Sequence, residues 1–375
     1  MEAYLDNSAT TFVCKQAADK MMYAVNNLWG NPSSLHQKGI EAAQLLSDAR
    51  KAVSKVLCCD EKEIYFTSGG TQGNNIAVFG AANALKRKGN KVITTAVEHP
   101  SVSKAFDRLE SEGFEVVRLG VDRFGKVNLE ELKSALDEKT ILVSMMAVNN
   151  ELGTVEPIEE AAKIIKASKS PALFHVDAVQ AFGKLPLNVN KIGCDMMTVS
   201  SHKIHGPKGA GALYLKSAVR IVSPVLGGGQ EKDIRPGTEP MPAIAGFFGA
   251  TQALCIKESL EKLTLLRDEF VSSLKNINGI FINSADDSLP YIVNISLPGL
   301  PSEAVLNLLS DMEIYVSSGS ACAKGHKSPV LTAAGLESNL INSSIRISLS
   351  RFTTKEELDY FISGITTALK IIRRK

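Results

Sequence analysis

The sequence predicts an α/β protein with a large domain on a mostly parallel mixed sheet and a smaller α+β domain after it. Three observations carry this. Strand-like and helix-like patterns alternate for most of the chain, as repeated βαβ units require. Short apolar runs such as 172–176 and 196–199 read as buried strands. After about residue 240 the pattern changes to long helices mixed with isolated strands, and a chain of 375 residues has room for two domains.

Taken in order, residues 41–57 are amphipathic at helical period and 63–67 read as a strand. A helix with a basic end, favourable for the helix dipole, is expected over 75–88. Strands at 91–95 and 114–119 flank a helix at 101–112. Asn128 reads as an N-cap, with Glu131 three residues on in the manner of a capping box. Residues 140–148 form a buried strand, 158–167 a helix, and 172–176, 196–199 and 211–215 further strands. Residues 243–274 read as one or two long helices. Strands at 291–297, 315–317 and 345–349 then mix with helices at 302–310 and 355–372. The expected division is a large domain over 13–255 and a small one made of 1–12 and 256–375.

Composition excludes several classes. Lys+Arg 42 against Asp+Glu 40 gives a net charge of +2, which offers no nucleic-acid or membrane surface. No apolar run is long enough for a membrane span. The chain starts in polar residues with no basic and apolar leader, so a cytoplasmic location is expected. The six cysteines show no framework spacing and no CxxC pair, which argues for a reducing compartment and against a structural zinc site. Adjacent Cys58 and Cys59, at an expected helix end, read as packing residues before a redox pair.

Two strand ends 26 residues apart present Asp177 and Lys203 at the edge where parallel sheets bind ligands. A buried carboxylate there can pair with a protonated ring nitrogen, and a lysine can form a Schiff base. Together they point to pyridoxal phosphate. A strand-end Asp also serves as a helix N-cap, so the surroundings must carry the reading. Thr-Ser-Gly-Gly-Thr at 67–71 follows a strand and opens a helix, which makes a phosphate cradle. With Ser200 and His202 beside Lys203, that cradle becomes two-sided. It is not a nucleotide P-loop, because no Gly-Lys-Ser/Thr follows.

Gln180, three residues past Asp177, can face the same ring if the chain turns helical there. Asn149 and Asn150 offer amides at the same edge, or act as turn residues. His99 follows the strand at 91–95 and can stack on a flat cofactor and shuttle protons, or simply enter a helix before Pro100. Cys322 lies in a Ser/Gly segment near Lys324 and Lys327, where a thiol ionises readily and serves as a nucleophile. Arg346, in an alternating strand, is a fork for a carboxylate, with Arg351 as the competing candidate.

Taken together these motifs resemble the cysteine desulfurases, pyridoxal phosphate enzymes of class V with the aspartate aminotransferase-like fold (fold type I). The resemblance covers nearly the whole chain: 5–11, 30–34 with His36, 67–75, 148–153, 175–180, 200–209, 227–230, 235–238, 317–322 and 343–354. It implies that Lys203 carries the cofactor and moves the Cα proton, and that Asp177 pairs with the ring nitrogen. It further implies that Gln180 and Asn150 face the ring hydroxyl, that His99 stacks on the ring, and that Gly70, Thr71, Ser200 and His202 hold the phosphate. Thr238 matches a residue that reaches the phosphate of a neighbouring subunit, which implies a homodimer. Arg346, with Asn150, matches the clamp on the substrate carboxylate, and Cys322 the thiol that accepts sulfur.

The implied reaction converts L-cysteine to L-alanine and leaves a persulfide on Cys322. An acceptor protein, either an iron–sulfur scaffold or a thiolation carrier, then takes the sulfur. Gln72 stands where the family commonly has Glu, and the loop at 323–328 is shorter than in the housekeeping iron–sulfur enzymes. A selenocysteine lyase or a cysteine-sulfinate-type lyase is the nearest alternative. A plain aminotransferase would not need Cys322. A scaffold or sulfur carrier free of cofactor would need neither Lys203 nor Asp177.

Overall fold

The computed structural model describes residues 1–318 and 327–372. After β1 (Ala3–Tyr4) come the helices α1 (Lys15–Asn27) and α2 (Gln37–Leu57). The large sheet is then built from β2 (Ile64–Thr67), β3 (Lys91–Thr95), β4 (Glu115–Leu119), β5 (Thr140–Met146), β6 (Leu173–Asp177), β7 (Met196–Ser200) and β8 (Gly211–Leu215). Its order is β2-β8-β7-β6-β5-β3-β4. Only β8 runs against the rest, pairing antiparallel with both β7 and β2. The carboxyl ends Thr67, Thr95, Met146, Asp177 and Ser200 therefore share one edge. β3, β5 and β7 are buried throughout, and β6 after its first residue, as expected for strands covered by helices on both faces.

Two helices entering that edge matter most. α3 (Gly70–Leu85) leaves β2, and α4 (Pro100–Ser111) follows β3 with Pro100 in its first turn and His99 as N-cap. α3 starts at Gly70, not near residue 75 as the sequence predicts. Gly70 and Gly73 read as loop residues by propensity, but they let the helix lie close on the sheet. A Cβ on Gly73 would meet Thr198 Cγ2 at 2.6 Å. Gly69, the N-cap, sits at φ +145°, a conformation that L side chains rarely adopt.

The rest of the chain forms β9 (Phe281–Ile282), β10 (Ile292–Ser296) and β12 (Ser344–Ser348), a three-stranded antiparallel sheet with β10 in the middle. β11 (Ile314–Tyr315) pairs parallel with β1, tying the N-terminus to this C-terminal part. The stretch expected as one or two helices is two, Met241–Gln252 and Ile256–Lys275. The capping box at Asn128 does not form. Asn128 accepts from the amides of Glu130 and Glu131, but the Glu131 carboxylate turns away and accepts from Gly120 N at 2.7 Å. Cys58 ends α2 in a left-handed conformation, and burial pushes the Cys59 thiol up to about 12, which suits packing.

Candidate active site

At the carboxyl edge of the large sheet lies a cavity of about 270 Å³. Its walls include Gly70, Thr71, His99, Asn150, Asp177, Gln180, Ser200, His202 and Lys203. Nine of the sequence-derived candidates thus line one space, together with Asn74 and Ser101, which sequence reasoning missed.

Asp177 ends β6 and is 5% exposed. Its Oδ2 accepts from Asn74 Nδ2 at 2.7 Å, and its Oδ1 from Val179 N at 3.0 Å. Asn74 also donates to Ser101 Oγ at 2.8 Å, and that hydroxyl lies 2.8 Å from His99 Nδ1. A chain of polar contacts thus runs from Asp177 through Asn74 and Ser101 to His99. Burial lowers the His99 pKa, with Lys203 assisting and Asp177 opposing, so the ring stays neutral and can stack. Beneath Asp177, His175 bridges Ser144 and Thr198, and complete burial holds it neutral, down to about 3.

Lys203 closes the opposite wall. Its Nζ donates to Ser8 O and, at 2.8 Å, to Ala9 O. The N-terminal segment also supplies Thr10 Oγ1, 3.2 Å from His202 Nδ1. Burial, followed by the charges of Lys203, Lys208 and Lys184, brings His202 down to about 4. Ser200 is fully buried, and its Oγ finds no hydrogen-bond partner among the described residues. An unpartnered buried hydroxyl beside the positive end of α3 is an anion site in waiting. These walls fit pyridoxal phosphate. Gly70, Thr71, Ser200 and His202 suit its phosphate, Asp177 its ring nitrogen and Lys203 its aldehyde carbon.

The two asparagines after β5 part company. Asn149 is fully buried, accepts from the amides of Glu151 and Leu152, and donates to Val97 O, which makes it a turn residue. Asn150 lines the cavity. Gln180 lies in a run of hydrogen-bonded turns rather than a named helix, and it still reaches the cavity.

Arg346 is 4% exposed. Its Nη2 pairs with Asp6 Oδ1 at 2.7 Å and its Nη1 donates to Asn150 O at 3.1 Å, while Nε has no partner among the described residues. Arg351 instead donates to Ala253 O at 2.6 Å and lines a separate small hollow behind Lys203. Thr238 is not brought into the cavity. It is exposed, in a surface hollow of about 400 Å³ beside Trp29.

Cys322 and Lys324 lie outside the described residues. The flanking residues are anchored next to the site. Ser317 exchanges backbone hydrogen bonds with Arg346 at 3.3 and 2.7 Å, and Ser328 donates to Glu151 Oε2 at 2.6 Å. Lys327 is held by Ser338 Oγ at 2.8 Å.

Asn74, Asp6 and Ser101 carried little signal in the sequence. Asn74 is four residues past Gly70 and so shares its helix face. Placing the helix start at 70 would have found it.

The aminotransferase class-V family model matches residues 3–361. A cysteine desulfurase IscS of Dictyoglomus turgidum is 39% identical over 99% of this chain and 95% of its own length. A cysteine desulfurase IscS of Methanosarcina thermophila is 40% identical over 99% of this chain and 92% of its own. A solved structure described as a NifS-like protein superposes with a TM-score of 0.94 at 38% identity, over 99% of this chain and all of the other.

Proposed function

Because the chain belongs to the class-V aminotransferases, and within them to the cysteine desulfurases, we propose that the cavity at the sheet edge performs that family's chemistry with the residues placed there. The protein is a pyridoxal phosphate-dependent cysteine desulfurase of fold type I. The observation that carries the assignment of roles is the joint placement of Asp177, Lys203 and the unpartnered Ser200 hydroxyl around one cavity.

When bound, pyridoxal phosphate supplies an electrophilic carbon and a ring that withdraws electrons. Asp177, pinned by Asn74 and Val179 N, keeps a proton on the ring nitrogen. Lys203 supplies the amine that anchors the cofactor and, once released, moves the proton at Cα of L-cysteine. Arg346 turns its Nε edge to the substrate carboxylate, while Asp6 and the Asn150 carbonyl keep the fork level. His99, neutral in its buried place, covers one ring face. The Cys322 thiolate bonds to the substrate sulfur as the Cβ–S bond breaks, and Cβ takes up a proton in place of the sulfur. L-Alanine leaves, and Cys322 keeps a persulfide that passes to an acceptor protein. In this reading an iron–sulfur scaffold or a thiolation carrier is that acceptor, and the protein works in the cytoplasm. No helix among the described residues is long and apolar enough to cross a membrane.

The same reading makes the protein a homodimer. Met22, Tyr23, Val25, Trp29 and Leu35 are all more than half exposed and lie close together in sequence, on and just after α1. Thr238 borders the hollow beside Trp29, so a second copy covering this face would bring Thr238 toward a neighbouring site.

The test is release of sulfide and alanine from L-cysteine, with a reductant, by wild type and Cys322→Ala. Equal amounts of both products from wild type and none from a variant that still carries cofactor are expected. Equal turnover by both proteins would remove Cys322 from the reaction.

A further inference from the structure

Lys184 is a lysine that the reaction above does not use. It lies four residues beyond Gln180, in the same run of turns, and is 4% exposed. Burying an amine there is costly, and a position that needed only bulk would be served better by an apolar side chain. Burial, then the charges of Lys203 and Arg346, brings its pKa down to about 7. Its Nζ donates to Gln180 Oε1 at 3.0 Å and lies 5.5 Å from the centre of the Tyr291 ring.

Gln180 is itself only 6% exposed, and its Nε2 donates to Ser8 O at 3.0 Å. These two neighbours leave its amide one orientation. A backbone carbonyl only accepts, so Nε2 faces Ser8. A lysine amine donates whether or not it is protonated, so Oε1 faces Lys184. With Oε1 engaged and one N–H used on Ser8, Gln180 has one amide N–H left, and Gln180 itself lines the cavity.

We propose that Lys184 is a positioning residue, which by holding Gln180 Oε1 keeps the free amide N–H of Gln180 presented to the cavity as a donor to the ring oxygen of the cofactor. This rests on the cofactor reading above. A donor at that oxygen favours its ionised form, so the effect is visible in the spectrum of the bound cofactor as well as in its affinity. Without Lys184 the amide has no partner for Oε1 and loses its reason to keep that orientation.

The experiment titrates the apo forms of wild type, Lys184→Met, Lys184→Gln, Gln180→Ala and the double variant Lys184→Met/Gln180→Ala with pyridoxal phosphate. Visible absorbance is followed, with thermal unfolding of each apo protein alongside. Lys184→Met should bind about tenfold more weakly, the cost of one polar contact, and its visible band should move. Lys184→Gln, which keeps a donor, should stay near wild type. In the Gln180→Ala background, Lys184→Met should add nothing further. The proposal is overturned if Lys184→Met binds and absorbs like wild type, or if its effect is as large without Gln180. Should Lys184→Met not fold, Lys184→Gln decides, since a tenfold loss there would remove the donor argument. If wild type itself takes up no cofactor, the cofactor reading fails instead, which is a separate outcome.

Discussion

The cavity has two walls of different construction. On the sheet wall, Asp177, Asn74, Ser101 and His99 touch side chain to side chain, each carried by the end of a strand or the first two turns of a helix or its N-cap. On the other wall, residues 6–10 hold groups that are distant in the chain, largely through backbone carbonyls. Asp6 meets Arg346 340 positions away, Asn7 donates to Ser348 O 341 positions away, and Ser8 O receives both Gln180 and Lys203. In the proposed reading, one wall would orient the cofactor ring by local geometry. The other holds Lys203 and Arg346 by closing the chain on itself, so it depends on the whole fold being in place.

The largest break comes where the walls meet. Lys203→Ala should lower turnover of L-cysteine by about 10³-fold or more, because both anchoring and proton transfer go with it. Steady-state kinetics and visible absorbance read the loss together, while the sheet wall keeps the protein folded. Next is the N-terminal wall itself. Asp6→Ala leaves a buried guanidinium with one partner fewer, and because Asp6 is partly exposed the expected cost is about 2–3 kcal/mol in chemical denaturation. KM for L-cysteine should rise more than kcat falls.

A pH effect sharpens the comparison at the anchor of the undescribed segment. Burial pushes the Glu151 carboxyl up to about 7 from the ordinary 4.5, opposed by its Ser328 bond and by Arg346. The folded protein then holds a proton that the unfolded chain releases. This contribution to stability is complete below pH 4.5 and is lost as pH rises through about 7. Glu151→Gln should flatten the decline in stability between those limits, a difference of about 1–2 kcal/mol at pH 8 in denaturation midpoints. Identical pH profiles for the two proteins would contradict it. The smallest effect is expected on the sheet wall, where Asn74→Ala leaves Asp177 the Val179 amide. A loss of about 1 kcal/mol in cofactor affinity is expected by absorbance titration, and a value several times larger would make Asn74 as important as Asp177.

The difference between the walls also explains what the sequence made legible. Asp177, Lys203, Ser200 and the glycine turn at 69–70 lie where apolar strands break off, and periodicity finds those points directly. Asn74 was missed because Gly70 and Gly73 disguise a helix as a loop. Their small size serves contact with β7, and that is a tertiary fact. Asp6 and Ser8 were missed because their partners, Arg346 for one and Gln180 and Lys203 for the other, lie far along the chain, and no local pattern encodes such a meeting. Lys184 bonds Gln180 four residues back, but its burial is a tertiary fact. Arg346 was legible as a fork for a carboxylate, while its pairing with Asp6 was not. The parallel order of the large sheet followed from strand and helix alternation. The single reversed strand, β8, had no sign in its own residues.

The central claim is that Lys203, and not the second lysine beside it, carries the cofactor. Borohydride reduction of the protein loaded with pyridoxal phosphate, followed by digestion and peptide mass spectrometry, tests it most directly. The expected result is a single pyridoxyl label on the peptide containing Lys203. A label on the peptide containing Lys184, or none on either, would contradict the account.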